Sequence, residues 1–385
     1  MNEKISIVSM ASISALGNHK DEVWRNYQKT SHTFKERSFG KFKAFTSDIQ
    51  REHWQEVDGL GENSIYKDLD PSVLLAILVS RKAIAKAKWG HQNFGINIGS
   101  SRGATHLFEK YHSEFLNNPV GKVSTLSSPT TTLGNISSWV GHDAQTLGPT
   151  ISHSIACSTA LHAILNGIAW LNSGMSEYFL AGGTEASNTP FTLAQMKALK
   201  IYASEKIEYP CRTLDFNKKK NSMILGEGAA VFCLEKGMKH NALAVIEGIG
   251  YATEPLEHNI SISTNADCFQ TSMKMAMQHI DSNEVDAIVL HAPGTIKGDL
   301  SEFNAIQKVF KNAMPALTSN KWKIGHTLGA SGGLSIELAI LMMQHQQFIG
   351  IPFLENQSFP AAIKKVLVNS VGFGGNAVSI LLSLD

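Results

Sequence analysis

Cysteine is scarce: there are 4 in 385 residues, Cys157, Cys211, Cys233 and Cys268, and no two share a CxxC spacing. That argues against a paired-cysteine zinc site and against a disulfide framework, and it fits a reducing, cytoplasmic location. An excess of one charge is also missing, since 34 Lys+Arg against 33 Asp+Glu leave a formal net charge of +1. Such a balance carries no global footprint for nucleic acid or an anionic membrane, so a charged partner has to be met by a local patch. No apolar run approaches the roughly 20 residues of a membrane-spanning helix. The opening MNEKISIVSM lacks the basic-then-apolar pattern of a secretory leader. No HExxH or comparable ligand spacing exists, which leaves a metal site and a metal hydrolase poorly supported. The expectation is a cytoplasmic protein with no nucleic-acid, membrane or metal partner.

What is present is a large apolar fraction, 43% of residues, enough for one big α/β unit or two domains. Short β-branched runs recur at residues 5–10, 94–101, 150–156, 177–183, 229–236, 243–252, 285–292, 366–375 and 377–384, and most read as buried strands. Between them lie segments with helical spacing, such as Leu74, Leu75, Leu78 and Val79, or Phe303, Ile306, Val309 and Phe310. Alternating strand and helix means α/β.

Two stretches share a plan. SIACSTALHAILNGIAWLNSG at 154–174 and IGHTLGASGGLSIELAILMM at 324–343 each carry a reactive residue followed by a Gly/Ala-rich helical pattern. Small residues there (Ala160, Ala163, Gly167; Ala330, Gly332, Gly333) would let both helices pack closely against something equally buried. This points to an internally duplicated fold with two buried central helices and an active site where they begin. The division falls near residues 236–243, giving an N-terminal half, 1–236, and a C-terminal half, 237–385.

Cys157 follows a strand-like run and opens a helix, where roughly half a positive charge favours a thiolate and free N–H groups can hold an oxyanion. A lone cysteine is more often a small buried hydrophobe. Two histidines change that weighting. His291 ends a strand-like run in VLHAPGTIKGDLSE, and His326 precedes the second Gly/Ala-rich helix, so all three stand at junctions where α/β active sites collect.

At these residues the sequence resembles the elongating, Cys-His-His β-ketoacyl synthases, along essentially the whole chain. The matching segments are ACSTALHA at 156–163, HAPGT at 291–295 followed by GDLSE at 298–302, Lys321, GHTLGA at 325–330, and GFGG at 372–375; LDFNKKKNSMILGEGAA at 214–230 adds an Asp-containing loop. The resemblance implies a thiolase-like, five-layered αβαβα fold and decarboxylative condensation of a malonyl thioester with an acyl group held on Cys157. It makes His291 and His326 donors to the enolate oxygen, and Lys321 a source of positive potential that pairs with Glu302. Asp299 and Glu302 support the loops. The backbone N–H groups of Cys157 and Phe373 form the oxyanion hole, and Phe373, between Gly372 and Gly374, gates the acyl pocket. Thr295 would bond the pantetheine arm, and Phe108 and residues 127–139 fall where the family builds its acyl pocket and dimer contact.

The resemblance further implies an acyl carrier protein as partner, a homodimer or a heterodimer with a related subunit, and no resident cofactor, because phosphopantetheine arrives on the carrier. The run Lys218-Lys219-Lys220 could greet that carrier, though a charge run is more often a solvated loop. Two departures stand out: Pro293 replaces the loop's first threonine, removing a hydroxyl and a backbone donor, and the opening strand, SMASISALG, lacks the family's glycines. The implied pathway is fatty-acid, polyketide or polyene biosynthesis, and a somewhat short chain together with Pro293 suggests a specialised polyene or polyketide pathway, such as an aryl polyene, rather than housekeeping fatty-acid elongation. Rival readings are a non-catalytic chain-length-factor-like subunit, which would lose the nucleophile, and an initiating synthase or thiolase, which would use an Asn or a second Cys.

Overall fold

In the computed structural model, which describes residues 3–90, 92–118, 120–255, 262–311 and 314–384, all ten residues of strand Ile5–Ser14 are buried. A strand with both faces covered must lie between two layers. One face, with Ile5, Ile7 and Met10, enters the central core, and the other, with Val8, Ala11 and Ile13, enters an outer core. The alternation slips by one at a bulge between Ile7 and Ser9. Strand Gly228–Lys236 divides likewise, Ala230, Phe232 and Leu234 facing inward and Ala229, Val231 and Cys233 outward.

The first sheet runs Ile5–Ser14, Gly228–Lys236, Tyr178–Glu185, Gly95–Gly99, Thr150–Ile151. The second runs Ala244–Thr253, Asn376–Ser383, Lys365–Val371, Ala287–Val289, Ala316–Thr318. Numbered along the chain, each sheet is ordered first, fifth, fourth, second, third. Each also pairs antiparallel, antiparallel, parallel, parallel across that order. The duplication suspected from two similar helix starts is thus a duplication of sheet topology. The chain passes from one sheet to the other between Lys236 and Ala244.

Helices Thr159–Ser173 and Ser331–His345 lie between the sheets. Their Leu161, Ile164, Leu334 and Leu338 share one core with the inward faces of both. Gly332 is where the two helices touch: a Cβ there would sit 2.7 Å from Leu161 Cγ, so any larger residue would force them apart. Helix Pro71–Ala87 covers the outside of the first sheet, and helices Asp267–Ala276 and Ile296–Phe310 the outside of the second. The five layers are therefore α, β, α, β, α, as the thiolase-like reading requires. Among the described residues no helix is long and apolar enough to cross a membrane.

Candidate active site

Cys157 sits on a sharp turn between strand Thr150–Ile151 and helix Thr159–Ser173. Ala156 adopts a left-handed φ of 45°, a conformation an alanine holds only when its surroundings impose it. The imposing contacts are local. Thr159 Oγ1 donates to the Ala156 carbonyl at 2.6 Å and accepts from the Ile155 N–H at 2.9 Å, and Ser158 N–H donates to the Ile155 carbonyl at 3.1 Å. From the other sheet, Ser370 Oγ donates to the Cys157 carbonyl at 3.0 Å. The turn 372–375 closes over the same spot: a Cβ at Gly372 would lie 2.6 Å from the Ile155 carbonyl oxygen, so only glycine lets this turn approach the Cys157 turn.

His291 follows strand Ala287–Val289, and helix Ile296–Phe310 holds its loop. Glu302 accepts the N–H groups of His291 (3.0 Å) and Ala292 (2.8 Å), and Asp299 accepts that of Gly294 (3.0 Å). Pro293 lies between amides already taken by carboxylates, so its missing N–H costs this loop nothing. His326 is held by its own backbone, donating to the Ile224 carbonyl at 2.7 Å and accepting from Gly226 N–H at 3.1 Å. The result is convergence: one donor atom each from Cys157, His291 and His326 lie within 4.8 Å of one another. The imidazole centroids are 5.1 Å apart with planes at 85°. All three residues line a cavity of about 430 Å³, whose walls include Met196, Leu199, Met223, Thr295, Leu328 and Phe373.

Burial dominates the electrostatics. It pushes the Cys157 thiol up to about 12, with Glu185 adding to the rise and Lys321 and Arg102 opposing it. Burial thus works against the thiolate that a helix terminus favours. Burial also lowers His326 to about 3, with Lys321 contributing, and holds His291 well below its usual range. Both imidazoles are neutral near pH 7, and the Nδ1 of each is buried without a hydrogen-bond partner. Burial brings Lys321 down to about 8, against the pull of Glu302.

Residues 2–240 match the family Beta-ketoacyl synthase, N-terminal domain, and residues 243–352 match Beta-ketoacyl synthase, C-terminal domain. The chain belongs to the β-ketoacyl synthase family. It is accordingly a condensing acyltransferase. The 3-oxoacyl-acyl-carrier-protein synthase 2 of Coxiella burnetii is 26% identical, covering 99% of this chain and 98% of that protein. The chloroplastic 3-oxoacyl-acyl-carrier-protein synthase I of Arabidopsis thaliana is 24% identical, covering 97% and 85%. Among solved structures, the ishigamide ketosynthase/chain length factor shares the fold at a TM-score of 0.87 and 19% identity over 100% of both chains. So does the ketosynthase ApeO with its chain length factor ApeC from Xenorhabdus doucetiae, at 0.79 and 20% over 100% of this chain and 98% of that one.

Three expectations about side chains change. Lys321 makes no ion pair with Glu302; its Nζ donates to Asn320 Oδ1 and Ser335 Oγ, each at 3.1 Å, because Glu302 is engaged by backbone amides and by Asn369 Nδ2 at 3.2 Å. Lys218 is no docking lysine: its Nζ is buried on Asp299 at 2.8 Å. Lys323, next to the site lysine, is also buried and donates to the carbonyls of Lys29 and Ser31. Phe108 is 62% exposed on helix Thr105–Asn117, outside the cavity, and residues 127–139 do not line the cavity either. Thr295 does line it, although its hydroxyl also caps helix Ile296–Phe310 by accepting Gly298 N–H at 3.2 Å. Glu185 was missed entirely. Its only sequence signal is a carboxylate at the end of an otherwise apolar strand, EYFLAGGTE.

Proposed function

We propose that the chain joins an acyl group to a malonyl unit by decarboxylative condensation, with Cys157 as the acyl acceptor. One observation carries this: a buried thiol and two neutral imidazoles converge within 4.8 Å on an apolar cavity. In the first step Sγ attacks the acyl thioester carbonyl, the C–S bond to the carrier breaks, and the thiol proton leaves with the carrier sulfur. A neutral imidazole beside the S–H can relay that proton, which a permanently charged one could not. In the second step malonyl thioester loses carbon dioxide. The electron pair moves onto the thioester as an enolate, whose oxygen would be met by N–H donors of His291 and His326. The Cα then attacks the acyl–Cys157 carbonyl and expels the thiolate, which takes up a proton.

For that second carbonyl we assign the backbone N–H groups of Cys157 and Phe373. The close approach of Gly372 to the nucleophile turn supports this, and Gly374 leaves the chain beside Phe373 room to swing. Lys321, buried near Cys157, would supply positive potential without touching substrate, and Asp299 and Glu302 hold the His291 loop. Thr295 would meet the pantetheine arm. The partner is an acyl carrier protein, which brings the phosphopantetheine, so no resident cofactor is invoked. Supporting this is a depression that shares Asn221 and Ile296 with the cavity and is lined by Lys43, Lys197, Lys200, Lys206, Lys219 and Lys220 beside Glu36, with Lys206 paired to Glu36 and Lys220 to Glu205; the excess of lysine favours an acidic partner.

A dimer, with a second copy or a related subunit, is supported by an exposed apolar face on the first half. Phe108, Phe115 and Leu116 on helix Thr105–Asn117, with Val123, Leu126 and Leu133 around helix Ser127–Thr131 that packs on it, are all 39–67% exposed, and exposed apolar side chains grouped in this way mark interfaces. The decisive experiment is incubation with acyl carrier protein and intact-mass analysis. An acyl adduct on Cys157 is expected, absent in Cys157→Ala; condensation persisting in that variant would overturn the mechanism.

A further inference from the structure

Glu185 ends strand Tyr178–Glu185 fully buried, and no step above uses it. Its Oε1 accepts from Ser100 Oγ at 3.1 Å, and its Oε2 accepts from the backbone N–H groups of Ser101 and Gly329, both at 2.9 Å. One carboxylate thus joins two loops of the site. The 100–103 loop leans on the nucleophile turn, since the Ser101 carbonyl receives Ser154 Oγ at 3.1 Å, three residues before Cys157. Gly329 follows His326 by three residues. The packing leaves no room for another arrangement: a Cβ at Gly329 would lie 2.5 Å from Ser101 N and 3.0 Å from Glu185 Oε2.

Arg102 opposes the rise of the Glu185 carboxyl, and its guanidinium is hydrogen-bonded to Gln195 on helix Pro190–Ala198.

We propose that Glu185 is a positioning residue: its carboxylate clasps the 100–103 loop, on which the Cys157 turn leans, to the loop that carries His326. The proposal rests on Cys157 being the nucleophile and His326 a donor to the enolate. Burial, partly offset by the bonds from Gly329, Ser101 and Ser100 and by Arg102, brings the carboxyl to about 7.

In Glu185→Gln the amide can turn its oxygen to the two backbone N–H groups and its NH₂ to Ser100 Oγ, so the clasp survives; Glu185→Ala removes it. In the full-length protein, acyl loading of Cys157 is followed by intact mass, and malonyl-carrier decarboxylation by release of labelled carbon dioxide. Glu185→Ala should slow decarboxylation, which needs His326 in place, by about tenfold or more and by a larger factor than it slows loading, whereas Glu185→Gln should restore most of the parent rate. Equal losses in the two half-reactions, or a loss in Glu185→Gln as large as in Glu185→Ala, would overturn the proposal. If Glu185→Ala does not fold, a loss of about tenfold in Glu185→Gln overturns it alone. Failure of acylated carrier protein to load Cys157 in the parent would instead sink the nucleophile assignment, a different outcome from normal loading with decarboxylation lost in Glu185→Gln.

Discussion

Asp299 and Glu302 stand one turn apart on helix Ile296–Phe310, and their carboxylates take the backbone N–H groups of Gly294 and of His291 and Ala292. The loop that presents His291 is therefore set by two acids reading its main chain. Among the described residues, Asp299 is also the only ion-pair partner of the buried Lys218 ammonium.

That pairing gives the first prediction. Asp299→Asn should cost about 3–5 kcal/mol, because an ammonium is left buried without its partner. The combination Lys218→Met with Asp299→Asn should recover much of the loss. Denaturant unfolding of the three variants checks it; additive losses would show that the pair is not coupled.

His326→Ala should leave acyl loading of Cys157 substantially intact while slowing release of carbon dioxide from malonyl-carrier protein by about 10²–10³-fold, the usual cost of one oxyanion donor. Intact-mass loading and labelled carbon dioxide release measure the two half-reactions separately. Loss of loading would mean that His326 serves the first step instead.

The pH dependence follows from burial. With His326 at about 3 and His291 low, neither imidazole changes charge between pH 5 and 7, so an acid limb there belongs to the buried Glu185 and Glu302 carboxyls, both held near 7. Above about 8 the rate should fall as Lys321 loses its proton and its positive potential. Lys321→Met should be slower and should lack that alkaline limb. An acid limb centred near 6.5 that survives in both Glu185→Gln and Glu302→Gln would contradict neutral histidines.

Replacing Lys200 and Lys219 together by Glu should raise KM for acyl-carrier protein while leaving kcat nearly unchanged, and the difference should shrink as salt is added. Steady-state kinetics at two ionic strengths tests the basic rim; an unchanged KM would move the docking surface elsewhere.

Phe108→Asp should shift sedimentation toward a single subunit if the exposed apolar face is the partner contact. Unaltered sedimentation of a dimeric parent would place that contact on another face.

Much of the site was legible in the chain because its signals are short-range. Cys157, His291 and His326 each stand at a strand-to-helix or loop-to-helix junction, and the Gly/Ala-rich starts of the two central helices are visible as runs of small residues. The glycines beside Phe373 could be read as a close approach before the atom they approach, the Ile155 carbonyl, was known. Even the two-half plan is written in the repeated succession of apolar runs.

What the sequence by itself determined, then, was which residues could react and the alternation that buries each strand on both faces, since periodicity and junctions are properties of neighbours along the chain. Only the tertiary structure decided which lysine is buried on Asp299, that Lys321 rests on Asn320 and Ser335, that Phe108 is exposed and does not line the cavity, and that burial raises the Cys157 thiol. Those outcomes depend on how many atoms from distant segments enclose each group, a property that the local helix field and the neighbours along the chain do not carry.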